Sequence, residues 1–250
     1  MTNSNHRIGM ASVSFRNLTP REILEVSRAA GLDVIEWGSD VHAPATDIPT
    51  LENIAALQSE YGITCSSYGS YFKIGATPMA ELADYISAAK ILGTNIIRVW
   101  CGGKDVVGIV GEEREAFLEE CKTAAKIAEE NGAVLCMECH KNTFTEHLND
   151  ALELMERVNS KSFLMYWQPF QNRSIEENLA YAEAISKYTV HIHAFNMKEK
   201  ARYSLNDGIE EWRSYLEKFT PPHTLLLEFL PNNDINELKI EADALREIVK

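Results

Sequence analysis

Short apolar runs rich in β-branched residues alternate with longer amphipathic stretches along the whole chain. The short runs predict strands at Ile8 to Val13, Val34 to Trp37, Ile63 to Tyr68, Ile96 to Trp100, Val134 to Glu138, Phe163 to Trp167, Val190 to Ala194 and Thr224 to Phe229. The longer stretches predict helices near Pro20 to Ala30, Leu51 to Tyr61, Met79 to Leu92, Glu112 to Asn131, Glu146 to Val158, Ile175 to Lys187, Ile209 to Phe219 and Ile235 to Val249. Thr19-Pro20-Arg21-Glu22 has the form of an N-cap with proline in the first turn, and Gly31, Gly62, Gly93 and Gly132 stand where helices should stop. Strict alternation requires a parallel sheet with crossover helices, and eight such units in 250 residues match an α/β chain folded as a single (β/α)8 TIM barrel. An open doubly wound sheet is the alternative. It is disfavoured because Ser12-Val-Ser-Phe-Arg-Asn, not a glycine-rich phosphate loop, follows the first strand. No linker or repeat divides residues 1–250, and the loop from Gly102 to Gly111, with four glycines, is expected to move above the barrel mouth.

Four of the predicted strands close on a polar residue: Glu138, Gln168, His193 and Glu228. Barrel active sites form at the C-terminal strand ends, so residues distant in sequence would meet in one mouth. Two carboxylates, one imidazole and one amide oxygen suit one divalent metal ion, Mn2+ first, with Mg2+, Co2+ or Zn2+ as alternatives. The set points to an enzyme.

Composition narrows the setting. The formal charge of −13 opposes binding to nucleic acid or to an anionic membrane surface. No run of about 18 uncharged apolar residues occurs, and Met1-Thr-Asn-Ser-Asn-His lacks the pattern of a signal peptide, so a cytoplasmic location is expected. Cys65, Cys101, Cys121, Cys136 and Cys139 are odd in number and form no CxxC pair, which predicts buried, reduced thiols.

Ile35-Glu-Trp-Gly-Ser-Asp-Val-His-Ala-Pro, Glu138-Cys-His-Lys-Asn-Thr-Phe-Thr, Tyr166-Trp-Gln-Pro, His191-Ile-His and Leu227-Glu-Phe resemble the xylose-isomerase-like barrel family of sugar phosphate isomerases and epimerases, over nearly the whole chain. That family includes ketose 3-epimerases, inositol-pathway enzymes, a dehydroshikimate dehydratase and apurinic-site endonucleases, so the resemblance implies fold more sharply than substrate. It implies a metal held by Glu138, residue 168, His193 and Glu228. Most relatives place aspartate at the strand-six position, where this chain has Gln168, which removes one negative charge. The endonuclease branch needs additional histidines, and strand four ends in Arg98-Val-Trp100-Cys-Gly instead.

The resemblance further implies that Glu138 and Glu228 exchange protons with a chelated α-hydroxycarbonyl, giving epimerisation, isomerisation or dehydration of a small sugar or sugar derivative. His140, two residues after Glu138, is a candidate for a substrate hydroxyl or a proton relay, against a plain solvated histidine. His191 suits a supporting or packing role better than ligation. Trp37, Trp100 and Trp167 are candidates for stacking on a sugar face, with core packing as the competing role. Tyr68 is better read as core. Glu36, an acid inside a strand, should reach the mouth or pair with Arg98. Lys198, with Lys200 and Arg202, could contact a phosphate, a carboxylate or an enediolate oxygen, or be an ordinary solvated loop. A catalytically silent sugar-binding barrel is the alternative from another class. Related barrels often pair, so a homodimer is the expected assembly.

Overall fold

A computed structural model describes residues 6–103, 106–220 and 222–250. The strands are β1 (Arg7–Ala11), β2 (Val34–Gly38), β3 (Thr64–Ile74), β4 (Ile96–Cys101), β5 (Val134–Glu138), β6 (Phe163–Trp167), β7 (Thr189–Ala194), a short pair β8 (Asn196–Lys198) and β9 (Ala201–Tyr203), and β10 (Thr224–Leu227). All except β8 and β9 join in a closed parallel barrel, in which β10 pairs with both β7 and β1. Closure rules out the open sheet. The crossover helices are α1 (Pro20–Ala29), α2 (Ile48–Tyr61), α3 (Leu82–Ile91), α4 (Gly111–Glu130), α5 (Leu148–Val158), α6 (Ile175–Ile185), α7 (Ile209–Leu216) and α8 (Leu238–Ile248).

Local chemistry sets several boundaries. Thr19 and Glu22 form a reciprocal capping box at α1, with Pro20 in the first turn, and Ser174 with Glu177 does the same at α6. α2 stops at Gly62, whose φ of 63° is the left-handed conformation glycine adopts without strain. β1 ends two residues before the predicted Val13, because Ser12 turns into a 3-10 segment and its hydroxyl accepts a hydrogen bond from the Gly38 amide at 3.0 Å. β3 runs on past Tyr68 to Ile74. β10 stops at Leu227, so Glu228 lies one residue beyond the ladder and Phe229 takes a left-handed φ of 55°. Of the loop from Gly102 to Gly111, residues 104–105 lie outside the described residues.

Most apolar side chains pack between the barrel and its helices. A separate small cluster of Val34, Cys136, Tyr166 and Leu226 closes the barrel interior from below. Strand alternation then puts the next inward residues, two steps further on, at Glu36, Glu138, Gln168 and Glu228. The interior therefore changes over two residues on each of four strands, to a carboxylate on three of them and to an amide at Gln168. Pairing shifts by one residue between β2 and β3 and between β6 and β7 at this level, as bulges do beside functional sites. The five cysteines are free thiols, all buried. No helix among the described residues is long and apolar enough to cross a membrane.

Gly69 of β3 faces the charged layer: a Cβ there would stand 2.8 Å from Glu36 Oε1 and 2.9 Å from Arg98 Nη2. Both groups are buried and paired, so neither can move aside freely. Gly69→Ala is expected to destabilise by about 2–3 kcal/mol and to lower Tm by about 5–10 °C. Calorimetry that shows no change in Tm would mean the layer is loosely held.

Candidate active site

Arg98 anchors the charged layer. It projects inward from β4 between two glutamates, its Nε donating to Glu36 Oε1 at 2.9 Å and its Nη1 to Glu138 Oε2. Their side chains are only 1–4% exposed, so their mutual charges are poorly screened. The Trp100 indole N–H also donates to Glu138 Oε2. Ser67 donates to Glu36 Oε2 at 3.1 Å and in turn accepts from the Tyr166 hydroxyl at 2.6 Å. With Oε2 of Glu138 engaged by two donors, its Oε1 is left facing His193.

His193 is where the polar strand ends converge. Its Nδ1 stands 3.5 Å from Glu138 Oε1, 3.5 Å from Glu228 Oε2 and 3.1 Å from Gln168 Oε1. Ligand atoms of Glu138, His193 and Glu228 all lie within 4.8 Å of one another, a buried group able to hold a metal ion. Glu228 Oε2 is buried with no hydrogen-bond partner among the described residues, the state expected of an oxygen whose partner is an ion. The Gln168 amide is oriented by its other end: Nε2 donates to the Cys139 carbonyl at 2.9 Å, which turns the amide oxygen toward the same point. His193 Nε2 lies 3.4 Å from Glu36 Oε1, so a carboxylate backs the imidazole from behind.

Charge supports the fit. Three buried carboxylates face one guanidinium, and with His193 neutral the layer carries two uncompensated negative charges, the complement of one divalent cation. Protons compensate otherwise. Burial opposes charging of His193, but Glu228 and Glu36 outweigh it and raise its pKa to about 10. Burial, reinforced by Glu138 and opposed by His193, pushes Glu228 up to about 7. Glu138 goes the other way, because Arg98 and His193 overcome its burial and draw it down to about 2. Glu36 is likewise held below the carboxylate range against its burial, by Arg98 and His193.

Above the layer opens a cavity of about 1070 Å3, with Arg98, Trp100, Glu138, Gln168 and Glu228 among the residues that line it. The sequence profile of the xylose isomerase-like TIM barrel family matches residues 24–248. The chain belongs to that family. No curated protein matches this family member significantly by sequence. Solved structures share its fold. The probable 3-DHS dehydratase AsbF of Bacillus anthracis superposes with a TM-score of 0.82 at 17% identity, over 96% of this chain and 98% of its own. D-psicose 3-epimerase of Clostridium cellulolyticum H10, solved with D-tagatose, gives 0.72 at 15% identity, over 96% and 97%. A xylose isomerase-like barrel protein of Mycobacterium smegmatis, in complex with magnesium, gives 0.73 at 14% identity, over 98% and 97%.

In this barrel, the predicted ligands Glu138, Gln168, His193 and Glu228 come together, whereas several predicted substrate contacts do not. His140 lines the cavity with its ring 4.8 Å from that of Trp100, and Trp100 lines it too. Trp37 is a correction: fully buried, it donates its indole N–H to Gln58 Oε1 of α2 at 2.8 Å, outside the barrel wall. Trp167 is a second, packed outside the wall against Trp212, Tyr215 and Phe219. Both follow from alternation, since Glu36 and Tyr166 point inward and their neighbours must point out. Glu36 lies beneath the cavity, paired with Arg98, and not among the cavity-lining residues. Lys198 is exposed on β8 away from the cavity, while Lys200 and Arg202 line it. Tyr68 is core, donating to the Ala43 carbonyl, and His191 Nε2 contacts the Ser66 carbonyl, away from the ligand group. Unanticipated are Arg16 and Tyr71 at the rim, Ser67 and Tyr166 under Glu36, and the left-handed Phe229. Of these, only Tyr166 carries a sequence signal, standing two residues before Gln168 and so on the same inward face.

Because the ion and protons compete for His193 and Glu228, affinity for Mn2+ is expected to rise with pH. Binding should release about one proton per ion at about pH 8 and about two at about pH 6. Calorimetry in buffers of different ionisation enthalpy measures this; no release, or tighter binding at low pH, would contradict it.

Proposed function

We propose that the protein is a divalent-metal-dependent isomerase or epimerase acting on a small sugar or sugar derivative. The observation that carries this reading is the pair of buried glutamates, from β5 and from the end of β10, set around one imidazole and one amide oxygen at the floor of an open cavity. A divalent ion held by Glu138, Gln168, His193 and Glu228 supplies, when bound, the positive charge that makes a C–H beside a carbonyl more acidic. The epimerase and magnesium-bound neighbours share the fold and agree with this assignment.

Glu138 and Glu228 approach the cavity floor from different directions, from strands three places apart around the barrel with β6 and β7 between them. One carboxylate takes the proton and the other returns it on the opposite face of the same carbon, which inverts its configuration. Return to the neighbouring carbon gives aldose–ketose isomerisation instead. Arg98 and Trp100 fix Glu138 from one side, so its rotamer does not change as it gains and loses a proton. His140, tilted against Trp100 at the cavity wall, is placed to meet a substrate hydroxyl, and Trp100, which also lines the cavity, to contact a sugar. The same abstraction followed by loss of a β-hydroxyl would be a dehydratase reaction, the class of the AsbF neighbour.

Incubation with a panel of ketoses in D2O separates these outcomes. Wild-type protein with Mn2+ is expected to place deuterium at the carbon next to the carbonyl of one sugar, and Glu138→Gln or Glu228→Gln to reduce that rate by about a thousandfold or more while the fold is retained. Exchange unchanged in both variants would refute the reading. An unsaturated product in place of deuterated sugar would assign the dehydratase.

A further inference from the structure

The hairpin β8–β9 is an insertion after β7 that the barrel itself does not need, and it places two cations, Lys200 in its turn and Arg202 on β9, at the cavity. Arg202 pairs with Met197 across the hairpin. Its guanidinium lies 5.0 Å over the ring of Phe229, the residue after Glu228, and its Nη1 donates to Asn233 Oδ1. Phe229 is held there in a left-handed conformation, φ 55°, that a bulky side chain rarely adopts, with its ring edge against Phe195. An aromatic face and an amide oxygen fix the guanidinium without neutralising it. Arg202 has no carboxylate partner among the described residues.

The rim as a whole carries the same sign. Arg16, Lys141, Lys200 and Arg202 line the cavity outside the charged layer, against Glu199 as the one rim carboxylate in its lining among the described residues. Arg16 is paired with Asp40 and also donates to the Tyr71 hydroxyl at 2.8 Å, whereas Lys141 and Lys200 have no such partner among the described residues. The layer below becomes neutral once its two excess charges are met, so it does not balance these cations. A chain of formal charge −13 thus gathers positive charge at the mouth of its cavity. Local fields of this kind concentrate ligands of the opposite sign.

We infer that the substrate is an anion: a sugar derivative whose end remote from the carbonyl carries a carboxylate or phosphate, received by Arg202 with Lys141 and Lys200 around it. A planar guanidinium held by stacking presents its free N–H groups in the fork that either oxyanion accepts. This rests on the reading of the cavity as the substrate site, and deepens it by naming the substrate class.

Three ketoses that differ only at C6 test it: D-fructose, D-fructuronate and D-fructose 6-phosphate, with affinity measured by calorimetry on the full chain, with and without Mn2+. One of the two anionic ketoses is expected to bind about tenfold or more tighter than D-fructose, with an advantage that shrinks as ionic strength rises. Preference for D-fructuronate assigns a carboxylate and preference for the phosphate ester assigns a phosphate. Arg202→Gln should abolish the advantage, and Lys198→Gln, on the same hairpin but away from the cavity, should keep it. Equal affinities, an advantage that survives Arg202→Gln, or no binding of any of the three would overturn the inference. Failure of the metal reading appears separately, as a protein that retains no Mn2+, and leaves the ranking of the three ketoses measurable.

Discussion

Three carboxylates and one guanidinium are enclosed in the upper half of a closed barrel, where isolated charge is expensive and water is scarce. Arg98 balances one of the three by standing between Glu36 and Glu138. Two negative charges remain, and much else in the layer follows from them. They raise His193 and Glu228 toward protonation, and Glu228 Oε2 has no hydrogen-bond partner among the described residues; separately, the bulk of the Arg98–Glu36 pair requires glycine at position 69 of β3. An uncompensated buried pair of this kind lowers stability unless something positive joins it. A layer built only for stability would be better served by apolar residues of similar volume.

The layer also separates two tasks. Below it, Val34, Cys136, Tyr166 and Leu226 seal the barrel, and the hydroxyls of Tyr166 and Ser67 support Glu36 from that side. Above it, the inward positions of four strands face an open cavity whose rim is positive. Glu36 belongs to the support and not to the mouth: it stands behind His193 and beside Arg98, and thereby orients both a prospective ligand and the group that holds Glu138. Chemistry at the floor and recognition at the rim are carried by different residues on different elements.

How much of this was legible in the sequence depended on how local each signal was. Eight strands and eight helices could be read because hydrophobic period is a property of adjacent residues, and Glu138, Gln168, His193 and Glu228 stood out because each closes an apolar run. The pairing of Glu36 with Arg98 was suggested by the cost of an acid in a strand. Trp37 and Trp167 stand close to strand ends, which suggests the mouth, but the two-residue alternation that decides which face a side chain takes turns both outward. The rim was legible only in part, through Lys200 and Arg202 in the basic run after the seventh barrel strand. Arg16, Tyr71, Arg202 and Asn233 come from four separate loops and strands, and β8 and β9 are too short and too polar to register as strands.

The most direct test of the charge imbalance is elemental analysis of the full chain, purified without chelator or affinity-column metal, beside a variant carrying Glu138→Gln and His193→Ala. About one Mn, Co, Zn or Mg per wild-type chain, absent from the variant, is the result the layer predicts. No divalent metal in the wild type, even after incubation with Mn2+ and gel filtration, would contradict it and would leave protons on His193 and Glu228 as the counter-charge.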